Sequence, residues 1–160
     1  MIKDSGTRRE FESGAVRDIA DGKGRCDLLP LGVIGEMMDD PYLQYIEQYI
    51  RTGKQKFLQC VIEDFCISHF LDFETALLEV SKHYEEGAKK YAERNWEKGI
   101  SLHCYIDSGV RHYIKLLRGD TDEHHNRAFV WNLLGALWTQ NHKPELIDLP
   151  FAQNNDKKGE

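Results

Sequence analysis

The sequence predicts an all-α protein: a helical bundle entered through an N-terminal loop-rich arm. Three observations lead there. From residue 33 onward apolar residues recur at spacings of three and four, the period of a helix buried on one face. Asp40-Pro41, Thr52-Gly53, Asp72 and Gly119-Asp120 punctuate these stretches, and such residues start and stop helices. No stretch competes with the alternation of a strand, and no internal repeat is present.

Taken in order, residues 1–32 form the arm, with glycines at 6, 14, 22, 24 and 32. Phe11, Ala15, Val16, Ile19 and Ala20 predict a short helix around residues 10–20, ended by Asp21-Gly22. Gly22-Lys23-Gly24-Arg25 then reads as a turn with two cations. Asp40 caps a helix with Pro41 at its first position, and Leu43, Ile46 and Ile50 form its stripe until Thr52-Gly53. Phe57, Leu58, Val61, Ile62 and Phe65 predict a helix over about 54–70, and Asp72 caps another running to about 93. Between Ser101 and Leu117, Leu102, Ile106, Val110, Tyr113 and Leu117 share a narrow stripe. Asp120 and Glu123 resemble a capping box for a last helix over about 121–140. That helix is apolar on more than one side, from Ala128 to Trp138, which places it centrally. Residues 151–160 read as a flexible tail.

The 160 residues carry 21 Lys+Arg against 27 Asp+Glu, a formal charge of -6. A chain of this size buries roughly two thirds of its unfolded surface, so one domain over 1–150 needs no disulfide or structural metal. The acidic balance argues against a DNA or RNA polymer as partner, whose phosphates call for a cationic face. Cys26, Cys60, Cys66 and Cys104 form no C-x-x-C pair, as expected of buried thiols in a reducing compartment. No apolar run approaches the roughly 20 residues that span a bilayer, and the start lacks a signal peptide's apolar region. The expectation is a cytoplasmic protein with no membrane partner.

Several polar residues have two readings. Asp122, His125, Phe129, Asn132 and Ala136 share one helix face. The plainer reading is a solvated carboxylate near the helix start and hydrogen-bonded core residues behind it; the other is a site. Asp107 and Arg111, four apart and flanking an apolar stripe with His112 on its other side, suit a surface ion pair, or a cation at Asp107 and a phosphate at Arg111. Glu79, His83 and Glu86 lie opposite much of their helix's apolar stripe, which predicts a solvated face. Lys89 to Gly99 closes a helix with Asn95 and Trp96 among cations: either a loop that stacks a base and holds phosphates or a tryptophan closing the bundle end. There is no P-loop, G-x-S-x-G or H-E-x-x-H.

A set of motifs recurs together: Lys3-Asp4-Ser5-Gly6, Ser13-Gly14-Ala15-Val16-Arg17-Asp18, Gly22-Lys23-Gly24-Arg25-Cys26-Asp27-Leu28-Leu29-Pro30, Gly87-Ala88-Lys89-Lys90-Tyr91, Arg94-Asn95-Trp96-Glu97-Lys98-Gly99, Asp107-Ser108 with Arg111-His112, and Asp122-Glu123 to Trp131-Asn132. Collectively they resemble a phage and prophage family, the dATP/dGTP diphosphohydrolase domain, related to the MazG-like all-α nucleotide pyrophosphohydrolases. The resemblance spans residues 3 to about 140. It implies a MazG-like bundle with core helices over 71–140, and residues 33–70 look like an inserted helical pair that shorter members lack.

The resemblance further implies cleavage of a purine deoxynucleoside triphosphate to monophosphate and pyrophosphate, remodelling the nucleotide pool of a phage-infected bacterial cytoplasm. It implies Mg2+ or Mn2+ held by Glu86, Asp107, Asp122 and Glu123, and catalytic roles for Glu86, Asp107, His112 and His125. Arg25, Lys90, Asn95, Trp96, Lys98, Arg111 and Asn132 would contact the substrate. It also implies a homo-oligomer. MazG-like enzymes carry E-E-x-x-E on one helix and E-x-x-D on the next; here Glu85-Glu86 runs into Gly87-Ala88-Lys89, and no E-x-x-D occurs on the helices after it. That departure, with the cations of the arm, motivates a second expectation: a non-catalytic protein that sequesters a host signalling nucleotide. A third is an oligomeric structural protein whose helices over 41–70 supply the subunit interface.

Overall fold

The computed structural model describes residues 2–156, and two thirds of the chain is helical. Among the described residues seven α-helices follow one another: α1 (Leu31–Met38), α2 (Pro41–Thr52), α3 (Lys56–Phe70), α4 (Phe73–Lys90), α5 (Leu102–Arg118), α6 (His125–His142) and α7 (Pro150–Asp156). Local chemistry accounts for their ends. The Asp40 carboxylate accepts from the amides of Tyr42 and Leu43 ahead of α2, and Asp72 accepts from Thr75 ahead of α4. Gly53 and Gly119 close α2 and α5 in the left-handed conformation that costs glycine little.

α6 packs on α3, α4 and α5, most extensively on α5, as its all-round apolar sequence predicts. One core runs through the bundle. Phe65 of α3 lies edge-on to Phe129 of α6 at 4.8 Å, and Tyr113 of α5 stacks on Phe129 at 5.0 Å. Residues 33–70 are therefore wedged into the core, and they carry three helices, because α1 precedes the expected pair. α1 ends at Asp39, whose own φ is 51°.

The expected helix over 10–20 is instead a hairpin: β1 (Arg8–Glu10) and β2 (Val16–Asp18) pair antiparallel, Arg9 opposite Arg17. Gly14, at φ 86°, makes the turn, and the Phe11 amide donates to Ala15. A hairpin of three-residue strands is too short to show an alternation. The expected capping box at Asp120 and Glu123 does not form: α6 starts at His125, Asp120 accepts from Arg118, and residues 119–124 connect the helices. Residues 150–156 do not fray; they form α7, with Phe151 buried edge-on against Tyr49. The remainder of the expected tail, 157–160, lies outside the described residues.

Candidate functional site

A cavity of about 1530 Å3 opens between the arm and the faces of α4, α5 and α6. It exceeds the roughly 300–1,000 Å3 of ordinary ligand clefts. Although the chain is acidic overall, lysines and arginines outnumber acidic residues about two to one along the cavity walls, which concentrates positive potential where an anion would enter.

α5 and α6 build one wall because glycines let them approach. Gly135 of α6 lies against the Tyr105 ring and Gly109 of α5 against Asn132. This closeness brings His112 Nδ1 to 2.9 Å from His125 Nδ1, while His125 Nε2 sits 2.8 Å from Asp122. A carboxylate only accepts, so His125 Nε2 carries a proton, and the two facing Nδ1 atoms of His112 and His125 share one proton between them. Asp122, His125 and His112 thus form one hydrogen-bonded chain, and His112 lines the cavity. Burial above all, with the positive charge of Arg17 nearby, pushes His112 well below the ordinary imidazole range, so it is neutral near pH 7. The hydrogen bond to His125 holds Asp122 down at about 2.

The acidic residues do not assemble as a four-carboxylate set. Asp107, buried on α5, accepts from the Cys26 amide at 2.7 Å and pairs with Arg111 at 2.6 Å. Glu86 accepts from the Ile2 amide at 2.7 Å in a crevice shared with His83 and Glu123. Glu123 accepts from the Lys3 amide at 2.7 Å, and Lys3 Nζ reaches Asp122 at 3.3 Å. Among the described residues, two groups offer three donor atoms within 4.8 Å of one another: His112, Glu123 and His125, and Asp120, Asp122 and His125. Mixed carboxylate and imidazole donors of this kind suit a divalent cation. The donors fit at the 120–125 corner, whereas Asp107 and Glu86 belong to neither group.

The expected substrate contacts divide likewise. Arg111 lines the cavity, bonded to the Gly24 carbonyl and Asp107, and its buried Nε has no partner. Lys90 lines the cavity and donates to the Lys3 carbonyl at 2.7 Å. Arg25 lies at the exposed rim, paired with Asp27 at 2.7 Å, which raises its pKa. Asn132 is buried in α6, its amide on the Ala128 carbonyl and its oxygen facing Arg17. Asn95 lines the cavity, and both ends of its amide bind the Val16 backbone, which clips β2 to the bundle. Trp96 packs edge-on to Trp138 at 5.1 Å and Tyr84 at 5.9 Å at the bundle end, and it also lines the cavity. Lys98 is exposed and is not part of the cavity wall.

Three residues escaped the sequence reading. Arg17 on β2 reaches the cavity, and no local pattern separates it from the other cations of the arm. His83, expected on a solvated face, lies against Trp131 at 5.7 Å, and burial pushes it down to about 4. Asp120 joins the corner through the bend after Gly119. Among the described residues, no helix is long and apolar enough to cross a membrane.

A family model described as dATP/dGTP diphosphohydrolase, N-terminal, matches residues 66–149. The matched stretch contains α4, α5, α6 and the 120–125 corner, and leaves the arm and α1 to α2 outside. No curated protein and no solved structure matches the chain.

Proposed function

Since the chain belongs to the dATP/dGTP diphosphohydrolase, N-terminal, family, we propose that it hydrolyses purine deoxynucleoside triphosphates between the α- and β-phosphates, releasing monophosphate and pyrophosphate. The observation that carries this reading is the cationic cavity edged by the His112, Glu123, His125 corner. Phosphates would enter toward Lys90 and Arg111, whose unpartnered buried Nε is a donor in need of an acceptor. Asp107 orients that guanidinium from four residues away. His112 takes the proton of the attacking water, and His125 and Asp122, aligned behind it, stabilise the positive charge that arrives on the imidazole. Asp120, Asp122 and Glu123 are the residues that would hold Mg2+ or Mn2+, which would supply charge neutralisation and a more acidic water.

The same reading places the protein in the cytoplasm of a bacterial host, encoded by a phage or prophage, with a purine deoxynucleotide as its partner. Self-association is proposed through the helices over 41–70, where Tyr45 and Ile67 are exposed. A second reading, sequestration of a nucleotide without turnover, is favoured by one observation: the amides of Ile2 and Lys3 already occupy Glu86 and Glu123.

The test incubates purified protein with each deoxynucleoside triphosphate and Mg2+ or Mn2+ and resolves products by chromatography. Monophosphate and pyrophosphate from dATP or dGTP, abolished by chelation, are expected. Their absence for every nucleotide overturns the hydrolase, and intact nucleotide recovered from denatured protein establishes sequestration.

A further inference from the structure

Arg17 stands apart among the cations of the cavity. Arg8 pairs with Asp4 at 2.6 Å, Lys23 with Asp18 at 3.3 Å, Arg25 with Asp27 at 2.7 Å and Arg111 with Asp107 at 2.6 Å. Among the described residues no carboxylate lies within ion-pair distance of Arg17. Arg9 and Lys115 also lack one, but no hydrogen bond fixes either head group. Arg17 is half-buried and held on both terminal nitrogens: Nη2 donates to Ser108 Oγ at 3.1 Å and Asn132 Oδ1 at 3.3 Å, and Nη1 to the Cys104 carbonyl at 3.4 Å. Its guanidinium lies 5.7 Å from the Tyr105 ring centre and 5.5 Å from that of Trp131.

All of these neighbours are neutral. They orient the guanidinium plane without cancelling its charge, and a partly desolvated cation is costly until an anion joins it. Among the described residues nothing accepts from its Nε–H, so the planar fork retains donors for a phosphate. The charge of Arg17 also helps hold His83 and His112 neutral, which places it beside the imidazole that lines the cavity.

We infer that Arg17 is a phosphate anchor: it enters the cavity from the arm, is oriented by Ser108, Asn132 and the Cys104 carbonyl, and takes a phosphate group beside His112 as its counter-ion. This rests on the reading of the cavity as a site for a phosphate-bearing nucleotide. It adds that the arm, which lies outside the family match, completes the site.

The experiment titrates inorganic pyrophosphate, α,β-methylene dATP and phosphate-free deoxyadenosine into wild-type protein, Arg17→Gln, Arg17→Lys and Arg9→Gln by calorimetry, with circular dichroism on each. Arg17→Gln is expected to weaken both phosphate ligands about tenfold or more, with deoxyadenosine unaffected and Arg17→Lys recovering only part of the loss. Arg9→Gln, an exposed cavity cation, is expected to stay within about twofold. If Arg17→Gln fails to fold, Arg17→Lys carries the test, because it keeps the charge and loses the fork. Unchanged pyrophosphate affinity in folded Arg17 variants overturns the anchor, as does an equal loss in Arg9→Gln. A wild type that binds pyrophosphate through Arg17 yet turns over no nucleotide supports the anchor and sinks the hydrolase; turnover with unchanged affinity in Arg17→Gln does the reverse.

Discussion

Gly135→Ala tests whether the close approach of α5 and α6 builds the site. A methyl at Gly135 would sit 2.3 Å from Cε1 of Tyr105 and 2.8 Å from its Cδ1 and Cζ. Ordinary carbon contacts are about 3.5–4.0 Å, so the ring or the helix must move by more than about 1 Å. The Tyr105 ring is fully buried, with Trp131 at 5.6 Å and Arg17 on its face. Alanine gains about 1 kcal/mol over glycine inside a helix, and overpacking of this severity costs about 3 kcal/mol. The net loss is ~2 kcal/mol, a melting midpoint about 4–8 °C lower for a chain of this length. Gly87→Ala is the control, because in α4 its methyl meets nothing within 4 Å, so it should raise stability by roughly 0.5–1 kcal/mol. Thermal unfolding by far-ultraviolet circular dichroism reads both. If Gly135→Ala melts at or above the wild type, the helices are not held at the limit of approach, and the 2.9 Å contact between His112 and His125 needs another explanation.

Three further outcomes are expected. Asp122→Asn removes the negative charge beside His125 Nε2 while leaving an oxygen that can accept its proton, so nucleotide turnover should fall about ten- to a hundredfold with little change in melting temperature; unchanged turnover would remove Asp122 from the machinery. Asp40→Ala loses the cap to Tyr42 and Leu43 and strands the buried Tyr113 hydroxyl that donates to Asp40, which should cost about 2–4 kcal/mol in urea unfolding. The third outcome concerns pH. His112 and His83, the latter at about 4, lie below the usual imidazole value of 6.5, so below pH 6.5 the unfolded chain binds more protons than the folded one. Stability is full above pH 6.5 and falls as pH drops toward about 4. His103, raised to about 10 by its hydrogen bonds to Asp148 and Cys104, acts oppositely, and its contribution is lost as pH rises through 10. A melting temperature that stays level between pH 6.5 and 4.5 would refute the burial of the two neutral imidazoles.

Much of the bundle is legible because helix signals are local. Asp40 before Pro41, Asp72, Thr52-Gly53 and Gly119 act within one turn of chain, and the breadth of the apolar face of α6 foretells its central place. The hairpin was missed because Val16 and Ile19 also fit a helix, and the decision falls to partners far along the chain: both ends of the Asn95 amide bind Val16. The pairing of Asp107 with Arg111 follows from spacing alone, but the burial that makes their geometry rigid does not.

By itself, the sequence determined the fold class, the ends of most helices and the family, since each depends on residue type at short spacing. Tertiary structure decided which polar residues meet. Asp122 and His125 share a helix-face spacing, yet His112 joins them only because Gly135 and Gly109 let α5 and α6 close. Arg17 reaches the same cavity from 91 residues before Ser108. A charge's partner, and therefore whether it is a solvated surface group or a site, depends on through-space distance, which a one-dimensional pattern does not contain.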